Sequence, residues 1–227
     1  MMNIAIIPAR GGSKRIPRKN IKHFHGKPMI AYSIEAASAS GCFDKIIVST
    51  DDEEIANVAK QYGAEVPFIR PNDIADDYAT TMDVMQHAIQ WCQQQQWKVI
   101  NVCCIYATAP FILASDISKG FEKISKANVE YAFSATTFPF PIQRAITVAE
   151  NGAVSMIEPE HANTRSQDLV EAYHDAGQFY WGKSSAFLTG KAIFAPHSQA
   201  VILPRKRVQD IDTPEDWELA EMLYSVL

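Results

Sequence analysis

Residues 4–7, Ile-Ala-Ile-Ile, form an apolar run too short to be anything but a buried strand. The stretch after it constrains the fold most: residues 8–20 read P-A-R-G-G-S-K-R-I-P-R-K-N. Adjacent glycines, Gly11 and Gly12, let the backbone turn sharply and come close to a ligand. Ser13 adds a hydroxyl, and Pro17 stiffens the loop while removing a donor. Arg10, Lys14, Arg15, Arg18 and Lys19 place five cations within ten residues, and no acidic residue precedes Glu35. The chain carries a net charge of −5, yet seven of its 21 Lys and Arg fall between Arg10 and Lys27. Cations concentrated on a glycine loop after a first strand suit a polyphosphate, at the place where open α/β sheets bind one. A solvated basic turn is the competing reading.

The rest of the chain repeats a strand-then-helix rhythm. Strands are expected at residues 3–8, 45–49, 65–69, 99–105 and 130–135. Between them lie helical patterns: Ile30, Ile34 and Ala37 after Pro28, ended by Gly41; Ile55, Val58, Ala59 and Tyr62, ended by Gly63; Val84, Ala88 and Trp91 within residues 80–96; and residues 115–126. Thr50 and Glu53 have capping-box spacing. This alternation predicts an α/β fold, a Rossmann-like, doubly wound and mostly parallel sheet covered on both faces. Ligands then bind beyond the carboxyl ends of the strands, where residues 10–20, 50–52, Arg70 and 106–110 converge. The rhythm breaks at Phe138-Pro139-Phe140-Pro141, which continues neither a helix nor a central strand. Residues 138–173 are expected to be an insertion within one domain spanning 1–227. Strand-like segments return at 178–181 and 201–203. A last helix opens at Thr213-Pro214, with Trp217, Ala220 and Tyr224 on one face.

The length fits one large domain. An acidic balance argues against nonspecific nucleic-acid binding, and no stretch approaches the roughly 20 apolar residues that span a bilayer. The N-terminus enters a strand directly, so a cytoplasmic location is expected. The four cysteines include no C-x-x-C pair, which argues against a zinc site or disulfide framework.

Several motifs compete with the loop. Gly177–Ser184, G-Q-F-Y-W-G-K-S, satisfies the Walker A pattern literally. Its aromatic middle suits a strand instead, with Gln178 and Phe179 either in the core or on a substrate wall. In Asp210-Ile211-Asp212, residues two apart point the same way on an extended segment. Their repulsion is relieved by a hard divalent cation; helix capping and pairing with Arg205-Lys206-Arg207 form the alternative. Tyr173-His174-Asp175 offers a general base or, as histidines more often do, a hydrogen-bonded network.

The motif P-A-R-G-G-S-K-R-I-P-R-K-N-I resembles the signature of the CMP-sugar synthetases, cytidylyltransferases that activate 2-keto-3-deoxy acid sugars. The resemblance continues through I-I-V-S-T-D-D at 46–52, I-R-P at 69–71, T-A-P at 108–110 and D-I-D-T at 210–213. It implies that Arg10, Gly11, Gly12, Ser13, Lys19 and Asn20 handle a triphosphate, with Arg10 and Lys19 also catalytic. It implies that Arg70, Ala79 and Thr81 border the cytosine, and that the catalytic pair Asp210 and Asp212 holds Mg2+, for which Mn2+ may substitute. It makes 138–173 a dimerisation element of a homodimer, reaching toward the partner subunit's site.

The sugar side departs from the sialic acid branch. Tyr106-Ala107-Thr108-Ala109-Pro110 stands where that branch reads Q-P-T-S-P, and His174-Asp175-Ala176-Gly177 where it reads R-P-N-G. E-A-Y-H-D-A-G-Q-F-Y-W-G at 171–182, with R-S-Q-D-L at 165–169, is similar to the bacterial pseudaminic acid cytidylyltransferases. That likeness implies CTP and a nonulosonic acid as substrates. The product would be CMP-pseudaminic acid, used to glycosylate flagellin or surface polysaccharide. Tyr106, Arg144, Arg165, Gln178 and Phe179 are then the sugar candidates, the two arginines either binding its carboxylate or standing idle at the surface. Sialic or legionaminic acid is the alternative substrate. A noncatalytic nucleotide-binding module and a nucleotide-sugar hydrolase are the alternatives of other classes.

Overall fold

The computed structural model describes residues 1–76 and 78–227. In chain order its elements are β1 (Met2–Pro8), β2 (His23–Phe24), β3 (Lys27–Pro28), α1 (Met29–Ser40), β4 (Lys45–Ser49), α2 (Glu53–Gln61) and α3 (Thr81–Gln94). Next come β5 (Val99–Ile105), α4 (Ala114–Ile124), β6 (Tyr131–Thr137), β7 (Ile146–Val148) and β8 (Val154–Met156). The chain closes with β9 (Tyr173–Lys183), α5 (Ser184–Leu188), β10 (Ser198–Ile202) and α6 (Pro214–Ser225).

One sheet, ordered β10-β6-β9-β5-β1-β4, organises the molecule. Its β1–β4, β1–β5 and β6–β10 pairs are parallel. Both faces of β1 are covered, so its apolar residues run without a break. Ala5 and Ile7 pack among Ile30, Ile34, Ile55, Ala59 and Ile117 of α1, α2 and α4. Ile4 and Ile6 pack among Met85, Ile89, Ala186 and Phe187 of α3 and α5. A third cluster joins α6 to the β2–β3 hairpin: Phe24 meets Trp217 edge-on at 5.5 Å and Tyr224 at 5.3 Å. Among the described residues, no helix is long and apolar enough to cross a membrane.

The doubly wound sheet expected from the alternation is present, with three local differences. Residues 65–69 make one parallel bridge, Ile47 to Glu65, rather than a strand. Pro67 and Pro71 withhold the donors a ladder needs. Helix α2 is capped by Asp52, whose carboxylate accepts from Ile55 N at 2.9 Å, and not by a Thr50–Glu53 box. Capping boxes do close α3 and α6, through Thr80 with Asp83 and Thr213 with Asp216.

The third difference is β9, which runs antiparallel between β5 and β6. A parallel strand needs a crossover back to the opposite edge of the sheet, whereas an antiparallel strand starts where the previous one stopped. Residues 138–172 stay at the carboxyl edge, so β9 runs back. Its ladder irregularity is closed by buried Ser134, whose hydroxyl accepts from Gln178 N at 3.2 Å and Phe179 N at 3.1 Å. The Walker-like segment is therefore strand and helix start, its backbone committed to the sheet.

Phe179 is 0% exposed, and with Trp181 it fills the face under α4. A Cβ on Gly120 of α4 would come within 2.6 Å of the Trp181 ring and 2.8 Å of Phe179. Gly120→Ala should therefore destabilise the fold by about 1–3 kcal/mol, the usual cost of overpacking. The measurement is a lower urea midpoint at unchanged slope; an unshifted midpoint would show that the helix can move away freely.

Candidate active site

The chain leaves β1 for β4 on one side and later returns as β5 on the other. Loops diverge at that switch of strand order, opening a crevice at the carboxyl edge. A cleft of about 550 Å³ lies there, lined by the loop after β1, Arg70, the start of α3, residues 106–108 and Asp212.

The loop is held from β4. Ala9 N donates to Ser49 O at 2.9 Å, and Gly11 N to Asp51 Oδ1 at 2.9 Å. A side chain at residue 11 would meet Asp52 Oδ2 at 2.8 Å, so close approach explains that glycine. An added Cβ on Gly12 meets nothing within 4 Å, which leaves the backbone there open. Asn20 is buried and closes the loop by donating to Arg10 O at 2.9 Å.

Arg18 is separated from the other cations by its role. Its φ of 56° is left-handed, a conformation that costs a residue with a Cβ about 1–2 kcal/mol. Its guanidinium forks onto Asp52 at 2.5 and 2.9 Å and also meets Glu54. These charge-assisted bonds offset the strain. The Arg18 hydrogen bond, against the upward push of burial, holds the Asp52 carboxyl down at about 2.

The remaining cations of the loop, and Arg70 beyond it, line the cleft. Arg10 donates to Asp76 O at 2.9 Å, and Asp76 in turn accepts from Ala79 N at 2.8 Å. Arg70 is only 4% exposed; its guanidinium donates to Ser49 O at 2.7 Å and its backbone N to Thr50 O at 2.8 Å. Burial pushes its pKa down, the nearby Asp51 charge opposes this, and Arg10 adds to it; its Nε is buried with no partner among the described residues. Lys19 Nζ donates to Ile211 O at 2.6 Å and to Asp212 Oδ1 at 3.1 Å, while Arg15 pairs with Asp212 Oδ2 at 2.8 Å.

Ile211 is fully buried in the aromatic cluster under α6, and the two aspartates flank it. Partial burial and the Asp212 charge push the Asp210 carboxyl up. Burial pushes Asp212 up as well, but the Lys19 hydrogen bond and charge, then Arg15, outweigh this and hold it low. The pairing of these aspartates with residues 205–207 does not occur for Arg207, which instead bonds buried Asp116 at 2.7 Å. Two carboxylates on one short segment form an all-oxygen donor set that fits a hard divalent cation completing its shell from phosphate and water.

Of the sugar candidates, Tyr106 lines the cleft and lies 3.4 Å from Thr81 Oγ1. Behind it, a recess of about 170 Å³ is walled by Met82, Met85, Cys104, Tyr180, Phe187 and Phe194, with Asp175 beside it. Tyr180 donates to Asp175 Oδ2 at 2.5 Å. Sequence reading missed this recess, because methionines on a helical stripe look like core. Two candidates are corrected. Phe179 belongs to the core under α4, since strand alternation turns it away from the recess that Tyr180 faces. Gln178 is 3% exposed and donates to Arg207 O at 2.5 Å, outside the cleft. Arg144 and Arg165 are exposed in the insertion, where Arg144 meets Ser166 and Arg165 forks onto Asp168. Neither lines the cleft of its own chain. The His174 ring bonds Asp175 O at 2.8 Å and stacks edge-on with Phe138 at 4.8 Å, within a network and not in the cleft.

A cationic glycine loop facing the Asp212 carboxylate at the switch point defines a nucleotide-handling α/β protein, while Asp210 of the expected pair is exposed and does not line the cleft. The chain belongs to the cytidylyltransferase family, whose profile matches residues 4–224; it is a nucleotidyltransferase. It is 52% identical over 226 residues to the pseudaminic acid cytidylyltransferase of Campylobacter jejuni strain 81-176, covering 100% of this chain and 97% of that one. It is 32% identical over 233 residues to the CMP-N,N'-diacetyllegionaminic acid synthase of Legionella pneumophila, covering 100% and 97%. A solved CMP:2-keto-3-deoxy-manno-octonic acid synthetase, complexed with CTP, matches the fold with a TM-score of 0.71 at 16% identity, over 100% of this chain and 99% of that one.

The Arg18–Asp52 clamp carries a pH signature. Asp52 has a folded pKa of about 2, below its ordinary value of 3.8. A depressed carboxylate stabilises the fold above the unfolded pKa and loses that contribution as pH falls through the folded one. Wild type should exceed Arg18→Met by about 1–2 kcal/mol at neutral pH, after allowance for the partial exposure of the pair. Denaturation titrations should show that gap closing between about pH 4 and pH 2. A gap independent of pH would mean that packing of the arginine stem, not its charge, holds the loop.

Proposed function

We propose that this chain transfers CMP from CTP to pseudaminic acid, forming CMP-pseudaminic acid and releasing pyrophosphate. The observation that carries the reading is the 52% identity to a pseudaminic acid cytidylyltransferase, which runs the whole length of the chain. The cleft supports it with charge of the right sign and a place for each part of the substrates. Arg10, Gly11, Gly12, Ser13, Lys19 and Asn20 receive the triphosphate. Arg70, Ala79 and Thr81 border the cytosine, with Arg70 a buried cation lacking a carboxylate partner among the described residues. The apolar recess behind Tyr106 suits pseudaminic acid, which carries a second acylamino group and a terminal methyl where sialic acid has hydroxyls.

Asp210 and Asp212 hold Mg2+, or Mn2+ in its place. When bound, such an ion neutralises charge on phosphate oxygens. The chain's own residues do the rest by positioning and electrostatics, which dominate phosphoryl-type transfer. The loop and Arg10 fix the triphosphate, Lys19 stabilises charge on the departing pyrophosphate, and Tyr106 orients the sugar. The sugar's anomeric oxygen attacks the α-phosphorus in line. The bond from that phosphorus to the bridging oxygen breaks, and the hydroxyl proton passes to solvent. The cytoplasm supplies CTP and is the location this reading requires.

Residues 138–173 are the dimer contact in this reading. Phe140 is 79% exposed, Val170 81% and Val148 65%, apolar surface that a second copy would cover. Arg144 and Arg165 then approach the partner's sugar carboxylate. Light scattering at micromolar concentration should give a dimer; a fully active monomer would exclude this contact.

The reaction is tested by pyrophosphate release from CTP with a panel of nonulosonic acids. Pseudaminic acid should exceed sialic acid by at least about two decades in kcat/KM, the scale set by unpaired polar groups in a mismatched site. Chelator should abolish turnover and Mg2+ restore it. Lys19→Ala should lose about one to two decades, equivalent to one ionised hydrogen bond. Equal rates on all sugars would remove the substrate assignment, and absence of pyrophosphate release with every sugar would remove the transfer.

A further inference from the structure

Asp212 is crowded. Its Oδ1 accepts from Lys19 and its Oδ2 pairs with Arg15, so both oxygens of a proposed cation ligand are already engaged by the phosphate loop. The two partners differ in how firmly they are held. The Lys19 side chain is 17% exposed, and its ammonium is also anchored to Ile211 O at 2.6 Å. One of its three donors is still left for a phosphate. The Arg15 side chain is 64% exposed, and Asp212 is its one ion-pair partner among the described residues. An exposed pair of that kind is weak. Its planar fork is the geometry that grips phosphate with two parallel bonds. Arg15 also lines the cleft beside Ser13 and Lys14.

We infer that Arg15 is a transferable phosphate ligand, stored on Asp212 until a divalent cation takes that carboxylate and then passed to the terminal phosphates of the nucleotide. The inference rests on reading the cleft as a CTP site. A cation arriving at Asp212 repels both resident charges, and Arg15 is the one free to move. Lys19 keeps its carbonyl anchor and stays. Asp212 thus has two duties: it shields a loop crowded with like charges while the cleft is empty, and it yields Arg15 when the cleft fills. Cation and nucleotide binding become positively coupled through one side chain. Such coupling is reciprocal, because each ligand removes the competitor of the other.

The test is binding, not turnover, on wild type, Asp212→Asn, Arg15→Gln and the double variant. Both substitutions conserve shape or sit on the surface, and thermal melts confirm folding. In chelator, calorimetry with CTP should show Asp212→Asn binding about two- to fivefold tighter than wild type, the scale of one exposed ion pair. The gain from Asp212→Asn should be smaller when Arg15 is already Gln, and that difference isolates the pair from the general effect of removing a negative charge. Reciprocally, Mn2+ alone, followed by water proton relaxation, should bind Arg15→Gln about two- to fivefold tighter than wild type. A gain from Asp212→Asn that is as large without Arg15 as with it, or no gain in either titration, would overturn the exchange while leaving CTP binding intact. Wild type that binds CTP neither with nor without cation would overturn the nucleotide reading and this inference together.

Discussion

The structure depends on two adjacent carboxylates at the end of β4. Asp51 takes the Gly11 amide, and Asp52 takes both the Arg18 fork and the first turn of α2. Through them the β1–β4 pairing, the start of a helix and the path of a cationic loop become one constraint. A loop that gathers five cations in ten residues repels itself. Committing Arg18 to Asp52 neutralises one of those charges and sets the backbone direction for the others. Gly11 is needed because Asp52 lies too close for a side chain there.

The cleft is left electrostatically unfinished. Arg70 is buried without a carboxylate partner among the described residues, and the Arg10 charge adds to its discomfort. Beside the cleft, desolvation and then the Asp212 charge push the Asp210 carboxyl up. An isolated buried charge is expensive, and a fold keeps one where a ligand will complete it. A polyanion accompanied by a divalent cation resolves both imbalances at once. Under the proposed function, the stable parts of the molecule hold that state. Ile211 is fixed by the aromatic cluster beneath α6, and the Arg207–Asp116 pair fixes the segment that leads into it.

The recess behind Tyr106 depends on the direction of one strand. Because β9 runs antiparallel, Asp175 and Tyr180 arrive at the same edge as the carboxyl end of β5, beside Tyr106. Alternation along β9 then divides its aromatics, Tyr180 toward the recess and Phe179 and Trp181 toward α4. The sequence shows three consecutive aromatics and does not say which of them faces a ligand.

Local pattern alone determined much of this protein. The apolar runs of β1 and β5, the helical stripes of α1 to α4, the glycine stops and the cationic loop after β1 are all written in short-range spacing, since helix and strand periods act over a few residues. Carboxyl-edge geometry then placed the loop, Arg70 and Tyr106 in one cleft, as the alternation implied, and Asp212 joined them there from the far end of the chain. Tertiary structure alone decided which charges meet. Lys19 and Asp212 are 193 residues apart, and Arg18 and Asp52 are 34 apart. A basic cluster has the same composition whether its members face solvent, clamp a neighbour or await a phosphate. Only packing against β4 and the segment before α6 makes Arg18 a clamp on Asp52 and sets Lys19 and Arg15 beside Asp212, because ion pairing is set by distance in space and burial, and neither is encoded in local spacing.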